Sequence, residues 1–205
     1  TGGLATLALP SLTTVVGSLS VNNNTSLATL DLPALRSIGG PTGAGYLYVR
    51  DNPLLNRMSV PVLTGSVQYV LVYNNPSLTE LDVHSLEAAT ASYGTQSIYV
   101  EITGVLPQVR FDKLATIAKG LRLGSTGVQE FWAPSLVSIG GTLYVASNAY
   151  LTMLNLESLA TVSLSPITFQ SNPMLDCLTD ICALKTRLEA SGYSGSWVIG
   201  PCTCP

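Results

Sequence analysis

Short pieces of alternating apolar and polar residues recur along this chain at a nearly constant spacing. One complete copy, residues 27–55, reads L-x-x-L-x-L-P-x-L-x-x-I-x-G, then a variable insert, then L-x-V-x-x-N-P. The apolar residue at its fourth position recurs at Leu7, Leu30, Met58, Leu81, Val109, Phe131, Leu154 and Leu178. The successive spacings are 23, 28, 23, 28, 22, 23 and 24 residues, so the pattern predicts a repeat protein with a unit of about 23 residues.

Each unit holds two alternating pieces, as in Leu30-Asp31-Leu32 and Leu47-Tyr48-Val49. In-out-in alternation is typical of strands, and the Pro-to-Gly stretch between the pieces, Pro33 to Gly39, predicts a corner. The two longer spacings are explained by insertions at Gly39 to Gly45 and around Ala91 to Gln96. One unit cannot bury its apolar face alone. The pattern therefore predicts a mainly β solenoid of about seven coils, with equivalent strands paired in parallel ladders.

An asparagine column supports this stacking. The same repeat position is held by Asn24, Asn52, Asn75, Asn148 and Asn172. An asparagine side chain at a corner can bond neighbouring backbone groups, so we interpret the column as an inward structural ladder.

The last part of the chain departs from the repeat. We assign residues 1–174 to the solenoid and residues 175–205 to a C-terminal cap of the same domain. Helical periodicity is carried by Leu178, Ile181, Leu184 and Leu188, with Gly192 as the predicted stop. A helix there, followed by the piece at residues 196–199, would cover the last coil.

All four cysteines lie in this cap: Cys177, Cys182, Cys202 and Cys204. The close spacing of Cys202 and Cys204 suggests that each reaches back separately to the helix, and both such pairings are open. Two disulfide bonds would indicate an oxidising compartment. A zinc site is disfavoured because the spacing fits no common zinc motif, and we predict no metal site.

Composition and charge exclude several classes of partner. Only 10% of the 205 residues are charged, and the net charge is −3 without a basic stripe, which disfavours nucleic acid. The longest apolar runs are far below the roughly 20 residues of a membrane-spanning helix, so we expect no direct membrane insertion. No phosphate-binding or dinucleotide motif occurs, and we predict no cofactor. Together with the cysteines, this composition favours an extracellular or cell-surface location.

The units LDLPALRSIGG…LYVRDNPLL and WAPSLVSIGGTLYVASNAYL resemble the receptor L domain, the leucine-rich-repeat-like β-helix of insulin and EGF receptor ectodomains and of microbial cell-surface proteins. The resemblance covers about residues 4–175. It implies a right-handed β-solenoid displayed outside the cell, which binds a protein ligand or supports wall structure and is not catalytic. The cysteine-bearing N-terminal cap of the receptor domains is not seen here. The furin-like Cys-rich modules and the kinase of the animal receptors are not seen either, so receptor-kinase function does not carry over.

Outward positions of the second alternating piece are rich in tyrosine, and stacking would gather them on one sheet face. The candidate binding residues there are Tyr46, Tyr48, Arg50, Tyr69, Leu71, Tyr73, Tyr99, Arg122 and Tyr144. Tyrosine and arginine are favoured at interfaces, although tyrosine also pairs well across strands for purely structural reasons. Trp132, on the first piece, is a further exposed aromatic candidate.

Other chemistry is weakly indicated. Asp31 and Asp82 are expected two coils apart on one face, near the upper limit for an inverting glycosidase pair, and solvated carboxylates explain them better. His84, the only histidine, occupies a corner. Asn23 is the better acceptor of two overlapping N-glycosylation sequons.

The sequence thus predicts a non-catalytic surface domain that recognises a protein or glycan through a tyrosine-rich face, with self-association also open. A structural wall or envelope protein without a discrete site is an alternative. Ice binding is a lesser one, because it calls for a regular column of threonine or similar small residues.

Overall fold

The computed structural model describes residues 3–40, 44–91, 93–101, 104–125 and 127–205. Over these residues the chain is mainly β, with parallel sheets and a short helical segment near the C-terminus. Each repeat contributes three short strands in the same order, and equivalent strands pair from one repeat to the next, apart from one break described below. Strands that neighbour each other in a sheet therefore come from consecutive repeats, as the pattern predicted.

Sheet I contains the first alternating piece of every repeat. Its strands, numbered along the chain, are β1 (Thr6–Ala8), β4 (Thr29–Asp31), β7 (Arg57–Ser59), β10 (Glu80–Asp82), β13 (Val105–Arg110), β16 (Gly127–Trp132) and β19 (Met153–Asn155). The register pairs Leu7 with Leu30 and Leu30 with Met58, and the row continues to Leu154. The predicted anchor residues from Leu30 to Leu154 thus form one buried row, with partly buried Leu7 at its end.

Sheet II occupies the segment where the sequence predicted only a corner. Its strands are β8 (Ser66–Val67), β11 (Ala88–Ala89), β14 (Thr116–Ile117), β17 (Ser138–Ile139) and β20 (Thr161–Val162), with β2 (Thr14–Val15) and β5 (Ser37–Ile38) as a separate pair. Two-residue strands carry no detectable alternation, which is why the pattern did not reveal this sheet.

Sheet III contains the second alternating piece. Its strands are β3 (Leu19–Asn22), β6 (Leu47–Arg50), β9 (Val70–Tyr73), β12 (Gln96–Glu101), β15 (Gly120–Gly124), β18 (Leu143–Ala146), β21 (Ile167–Gln170) and β22 (Trp197–Ile199). The last strand comes from the cap and pairs in parallel with β21, so the C-terminal segment extends the sheet.

The inward side chains of all three sheets meet in one apolar core. Leu30, Val67 and Leu47, from sheets I, II and III respectively, are all inaccessible to solvent. The largest core side chains include Phe111 and Phe131, whose ring centroids lie 6.0 Å apart. Burial of these rows, rather than strand length, stabilises strands of only two to six residues.

The asparagine column is inward and structural, as predicted. Asn52, Asn75 and Asn148 are fully buried. Asn52 donates from Nδ2 to the Asn75 Oδ1 over 3.1 Å, and Asn148 donates from Nδ2 to the Asn172 Oδ1 over 2.9 Å. The column thus links consecutive repeats through their side chains.

The cap contains a π-helix, Cys177–Cys182, that continues as α1, Ala183–Ala190. Leu184 and Leu188 are buried against the core, as predicted, and Gly192 ends the segment with a φ of +99°. The inward placement of Leu178 was wrong: its side chain is 62% exposed, and it lies in no strand. A π-helix has more residues per turn than an α-helix, so the 3.6-residue period places Leu178 on the wrong side.

Two disulfide bonds hold the cap together. They join Cys177 to Cys202 and Cys182 to Cys204, which is one of the two pairings left open by the sequence. The Arg187 guanidinium also donates to the backbone oxygens of Leu156 (2.6 Å) and Leu159 (3.0 Å). The helix is therefore tied both to the C-terminal segment and to the last repeat.

The two predicted insertions are only partly visible. Residues 41–43 of the first and residue 92 of the second lie outside the described residues. In the second, Tyr93 and Gln96 form an antiparallel bridge, with backbone N–H to oxygen distances of 2.9 and 3.2 Å. The turn leads directly into β12 and brings Tyr93 next to sheet III.

Candidate functional site

The tyrosine candidates lie on the outer surface of sheet III, as predicted. Parallel register places Tyr48, Leu71 and Tyr99 side by side on β6, β9 and β12. Arg122 and Tyr144 continue this row on β15 and β18. The row exists because every second residue of a strand points to the same side and equivalent positions pair across repeats.

The rings form a continuous cluster, which we call the tyrosine face: Tyr46, Tyr48, Tyr69, Tyr73, Tyr93 and Tyr99. Tyr46 and Tyr69 stack with centroids 4.6 Å apart and an interplanar angle of 8°. Tyr48 lies 5.9 Å from Tyr73, and their hydroxyls form a hydrogen bond of 2.8 Å. Such aromatic pairs contribute stabilisation beyond the area that they bury.

Tyr93 belongs to the tyrosine face but was missed from the sequence. It is 56% exposed, and its ring centroid lies 6.1 Å from that of Tyr48 and 5.9 Å from that of Tyr69. The residue lies in an insertion, outside the repeat register that identified the other tyrosines. Only the turn between Tyr93 and Gln96 brings it onto the sheet.

Leu71 corrects the predicted surface. It was expected to be exposed, but its side chain has no solvent accessibility. Its register neighbours are Tyr48 and Tyr99, and the rings of Tyr48 and Tyr73 contact each other beside it. Leu71 therefore forms the floor on which the rings rest, and a partner could not touch it directly.

Two arginines frame the tyrosine face. The guanidinium carbon of Arg122 lies 4.2 Å from the ring centroid of Tyr144 and 5.5 Å from that of Tyr99. Arg50 lies 5.4 Å from the centroid of Tyr48. Guanidinium groups held on aromatic faces keep their N–H donors in fixed directions. The surface is thus aromatic in its centre and has a guanidinium group at two of its edges, of which Arg50 is also paired with Asp51 (3.3 Å).

Three phenols of the tyrosine face, those of Tyr48, Tyr69 and Tyr99, have raised pKa values. Burial raises the pKa of Tyr48, and its hydrogen bond to Tyr73 raises it further. Burial also raises the pKa of Tyr69, with the nearby Tyr46 adding to the effect. The pKa of Tyr99 is raised by burial and by its hydrogen bond to the Glu101 carboxylate. At neutral pH the face therefore presents uncharged hydroxyls that can donate and accept hydrogen bonds.

Trp132 lies apart from this face, on sheet I. It is half-buried, with the Arg110 guanidinium 5.2 Å from its ring centroid, and its indole Nε1 donates to the Glu130 carboxylate over 2.9 Å. Asp31 and Asp82 lie two strands apart, as expected, with Ser59 between them. The structure thus separates Trp132 from the tyrosines and Asp31 from Asp82.

The remaining predicted residues are accounted for simply. Asn23 is exposed, so its sequon is accessible. Among the described residues, the one group of three potential metal ligands close together is Cys177, Cys182 and Cys202. All three are disulfide-bonded, and a metal site needs deprotonated thiols.

The chain was compared with protein-family models, curated proteins and solved structures, and none of them matches it. A search of the described helices for an apolar segment long enough to cross a bilayer found none. The function of this chain is therefore inferred from the geometry of its surfaces.

Proposed function

We propose that this chain is a non-catalytic binding domain that acts outside the cell or at its surface and recognises a protein or glycan through the tyrosine face. The supporting observation is the contiguous ring cluster on sheet III, flanked by Arg50 and Arg122. Tyrosine and arginine side chains dominate the energetically important positions of protein interfaces. We further propose that the three sheets form a right-handed β-solenoid of the receptor L type.

Ring orientation favours a protein partner over a stacked sugar. The rings of Tyr46 and Tyr69 stack on each other, which covers one face of each ring. The Arg122 guanidinium lies over the rings of Tyr99 and Tyr144. A sugar ring that stacks on an aromatic side chain needs an open ring face. These contacts reduce the ring area that is open to stacking, while ring edges and hydroxyls suit a protein surface that offers backbone and side-chain hydrogen bonds.

The proposed location is supported by the cap. The two disulfide bonds together include all four cysteines of the chain, so no free thiol remains. Disulfide bonds persist in oxidising environments such as the extracellular space. Exposed Asn23 would carry a glycan if the protein is made in a eukaryotic secretory pathway.

The test uses the folded domain as bait against a glycan array and an extract of surface proteins. Tyr48→Ser, Tyr73→Ser and Tyr99→Ser together should weaken capture of any specific partner at least tenfold. Tyr150→Ser is the matched control, because Tyr150 is 50% exposed and lies outside the tyrosine face. Capture should be unchanged in that variant.

Removing Tyr48 also uncovers Leu71, so the serine variant could lose binding by losing its fold. The corresponding triple phenylalanine variant keeps the rings that cover Leu71 and removes only the hydroxyls. Circular dichroism and thermal unfolding identify a folded variant. Full binding by a folded serine variant would refute the assignment of the tyrosine face.

A structural protein without a discrete site remains the alternative, and absence of any specific partner for the wild type would favour it. Ice binding is the lesser alternative. The outward residues of sheet II are small, but they mix Ala88 with serine and threonine rather than repeating threonine. Thermal hysteresis measured on the same purified domain decides this alternative.

A further inference from the structure

A polar groove opens on the outer surface of sheet I, between β10 and β13, away from the tyrosine face on sheet III. Its volume is about 380 Å³. This lies within the range of ligand pockets, roughly 300–1,000 Å³. The groove is lined in part by Asp82, His84, Pro107, Gln108, Arg110 and Asp112.

The groove exists because the sheet is incompletely paired here. β10 and β13 share only two register pairs, Leu81 with Val109 and Asp82 with Arg110. On its other side, β13 pairs with β16 at five positions. Pro107 has no backbone N–H, so the strand cannot complete a ladder through that residue.

The charged side chains of the groove are paired with one another and held in place. His84 Nδ1 lies 2.5 Å from a carboxylate oxygen of Asp82. Arg110 donates from Nε and Nη2 to Asp112 over 3.0 to 3.2 Å. The Trp132 ring centroid lies 5.2 Å from the Arg110 guanidinium carbon. Glu80 also lines the groove and pairs with Arg57 (2.7 Å), which lies outside the lining. Each carboxylate therefore has a hydrogen-bonding partner that holds it in place.

Hydrogen-bonding capacity nevertheless remains open. Within the described part of the chain His84 keeps its Nε2 free, and the two carboxylates keep lone pairs beyond those already used. Gln108 is exposed, and among the described residues none hydrogen-bonds its amide. The groove thus combines fixed donors and fixed acceptors, with more carboxylates than arginines in its lining.

We infer that this groove binds a neutral saccharide. Hydroxyl groups both donate and accept hydrogen bonds. They can therefore bond to the unused donors and acceptors of His84, Gln108 and the carboxylates without breaking an ion pair. An anionic ligand would meet the carboxylates of the lining, and a cationic ligand would have to compete for carboxylates that Arg57, His84 and Arg110 already hold. The site is independent of the tyrosine face, because it lies on a different sheet and uses hydrogen bonds instead of aromatic rings.

The probes are lactose, maltotriose, cellotriose, mannotriose and chitotriose, titrated into the isotopically labelled domain. At least one should shift backbone amides of residues 79–84 and 108–112 in NMR spectra, with an affinity in the millimolar range. Gln108→Ala and His84→Gln should each weaken that affinity about tenfold, the loss expected for a hydrogen bond in a fixed polar site. Gln170→Ala is the matched control, because Gln170 is an exposed glutamine on sheet III.

The saccharide titrations and the partner capture test the two surfaces separately. If no neutral probe binds, or if Gln108→Ala behaves like Gln170→Ala, the groove is not a saccharide site. Tighter binding of trigalacturonate than of neutral trisaccharides would overturn the neutral class. The triple serine variant of the tyrosine face should bind the saccharide normally, so failure at one surface leaves the other intact.

Discussion

At the scale of single residues, the corner asparagines explain how a chain with few charges keeps its repeats in register. Asn52 accepts hydrogen bonds at Oδ1 from the backbone N–H and Nδ2 of Asn24 (3.1 and 2.9 Å). Its Nδ2 lies 3.1 Å from the Val21 oxygen, which belongs to the preceding repeat. The residue before each asparagine of the column has a positive φ, as at Asp51 with 54°. The Asn52 side chain therefore hydrogen-bonds backbone groups at the corners, which the pairing of strands leaves without partners.

Replacing Asn52 with alanine should be strongly destabilising. The change leaves buried backbone groups of neighbouring repeats without partners, which we expect to lower the free energy of unfolding by about 3 kcal/mol. Chemical denaturation followed by circular dichroism measures the loss. Asn56→Ala is the control, because Asn56 lies four residues after Asn52 and is exposed. It should change the free energy of unfolding by less than about 0.5 kcal/mol. Equal midpoints for the two variants would contradict the ladder's structural role.

The raised tyrosine pKa values predict a loss of stability in alkali. Tyr48, Tyr69 and Tyr99 have a higher pKa when folded than the value of about 10 of an unfolded chain. The folded state therefore holds these protons more tightly. This contribution is complete below pH 10 and is lost as the pH rises through the folded pKa values. Thermal unfolding between pH 8 and 12, with phenolate absorbance as the second readout, measures it.

A variant with phenylalanine at these three positions supplies the control for the alkaline prediction. It keeps the rings and cannot ionise there, so its unfolding temperature should fall less steeply above pH 10 than that of the wild type. Parallel curves for the two proteins would show that other groups cause the alkaline loss.

At the scale of elements, the cap is stabilised by a local capping residue and by disulfide bonds, which the strands that it covers do not have. The π-helix begins at an aspartate cap: Asp176 accepts from the backbone N–H groups of Leu178 (2.9 Å) and Thr179 (2.7 Å). These bonds hold the pKa of Asp176 below its usual value. Local capping positions the start of the helix, while its packing depends on Leu184 and Leu188 and on the two disulfide bonds.

Removing the Cys177–Cys202 disulfide by a double serine substitution should lower the free energy of unfolding by about 3 kcal/mol, the chain-entropy estimate for a crosslink that spans 25 residues. Chemical denaturation measures it. Reductant should destabilise the wild type, whereas a variant with all four cysteines replaced by serine should not respond to it. An unchanged midpoint for reduced wild type would mean that the cap does not stabilise the repeats.

At the scale of the whole molecule, three sheets around one core give the chain several outward surfaces that share no side chains. The tyrosine face lies on sheet III, and the polar groove lies on sheet I. Core residues such as Phe131 and Leu121 connect the sheets without reaching either surface. Substitutions at exposed residues of one surface should therefore leave the other unchanged, which makes the two binding experiments independent.

Much of this arrangement follows from local pattern. Period-two alternation selects the inward residues of sheets I and III, and a spacing of about 23 residues aligns them into rows, because parallel pairing sets equivalent residues side by side. The asparagine column and the outward rows of tyrosines follow from the same periodicity. These features depend only on which residues occupy equivalent positions, and a single chain displays that directly.

Other features arise only when distant parts of the chain meet. Leu71 occupies an outward position, yet neighbouring rings seal it from solvent. Tyr93 joins the tyrosine face through a turn that follows no repeat, and a π-helix carries Leu178 outward. The pairing of Cys177 with Cys202 and the groove beside Pro107 likewise depend on how segments approach in space. Periodicity specifies the direction of a side chain from its strand, whereas the packing of neighbouring segments specifies what covers it.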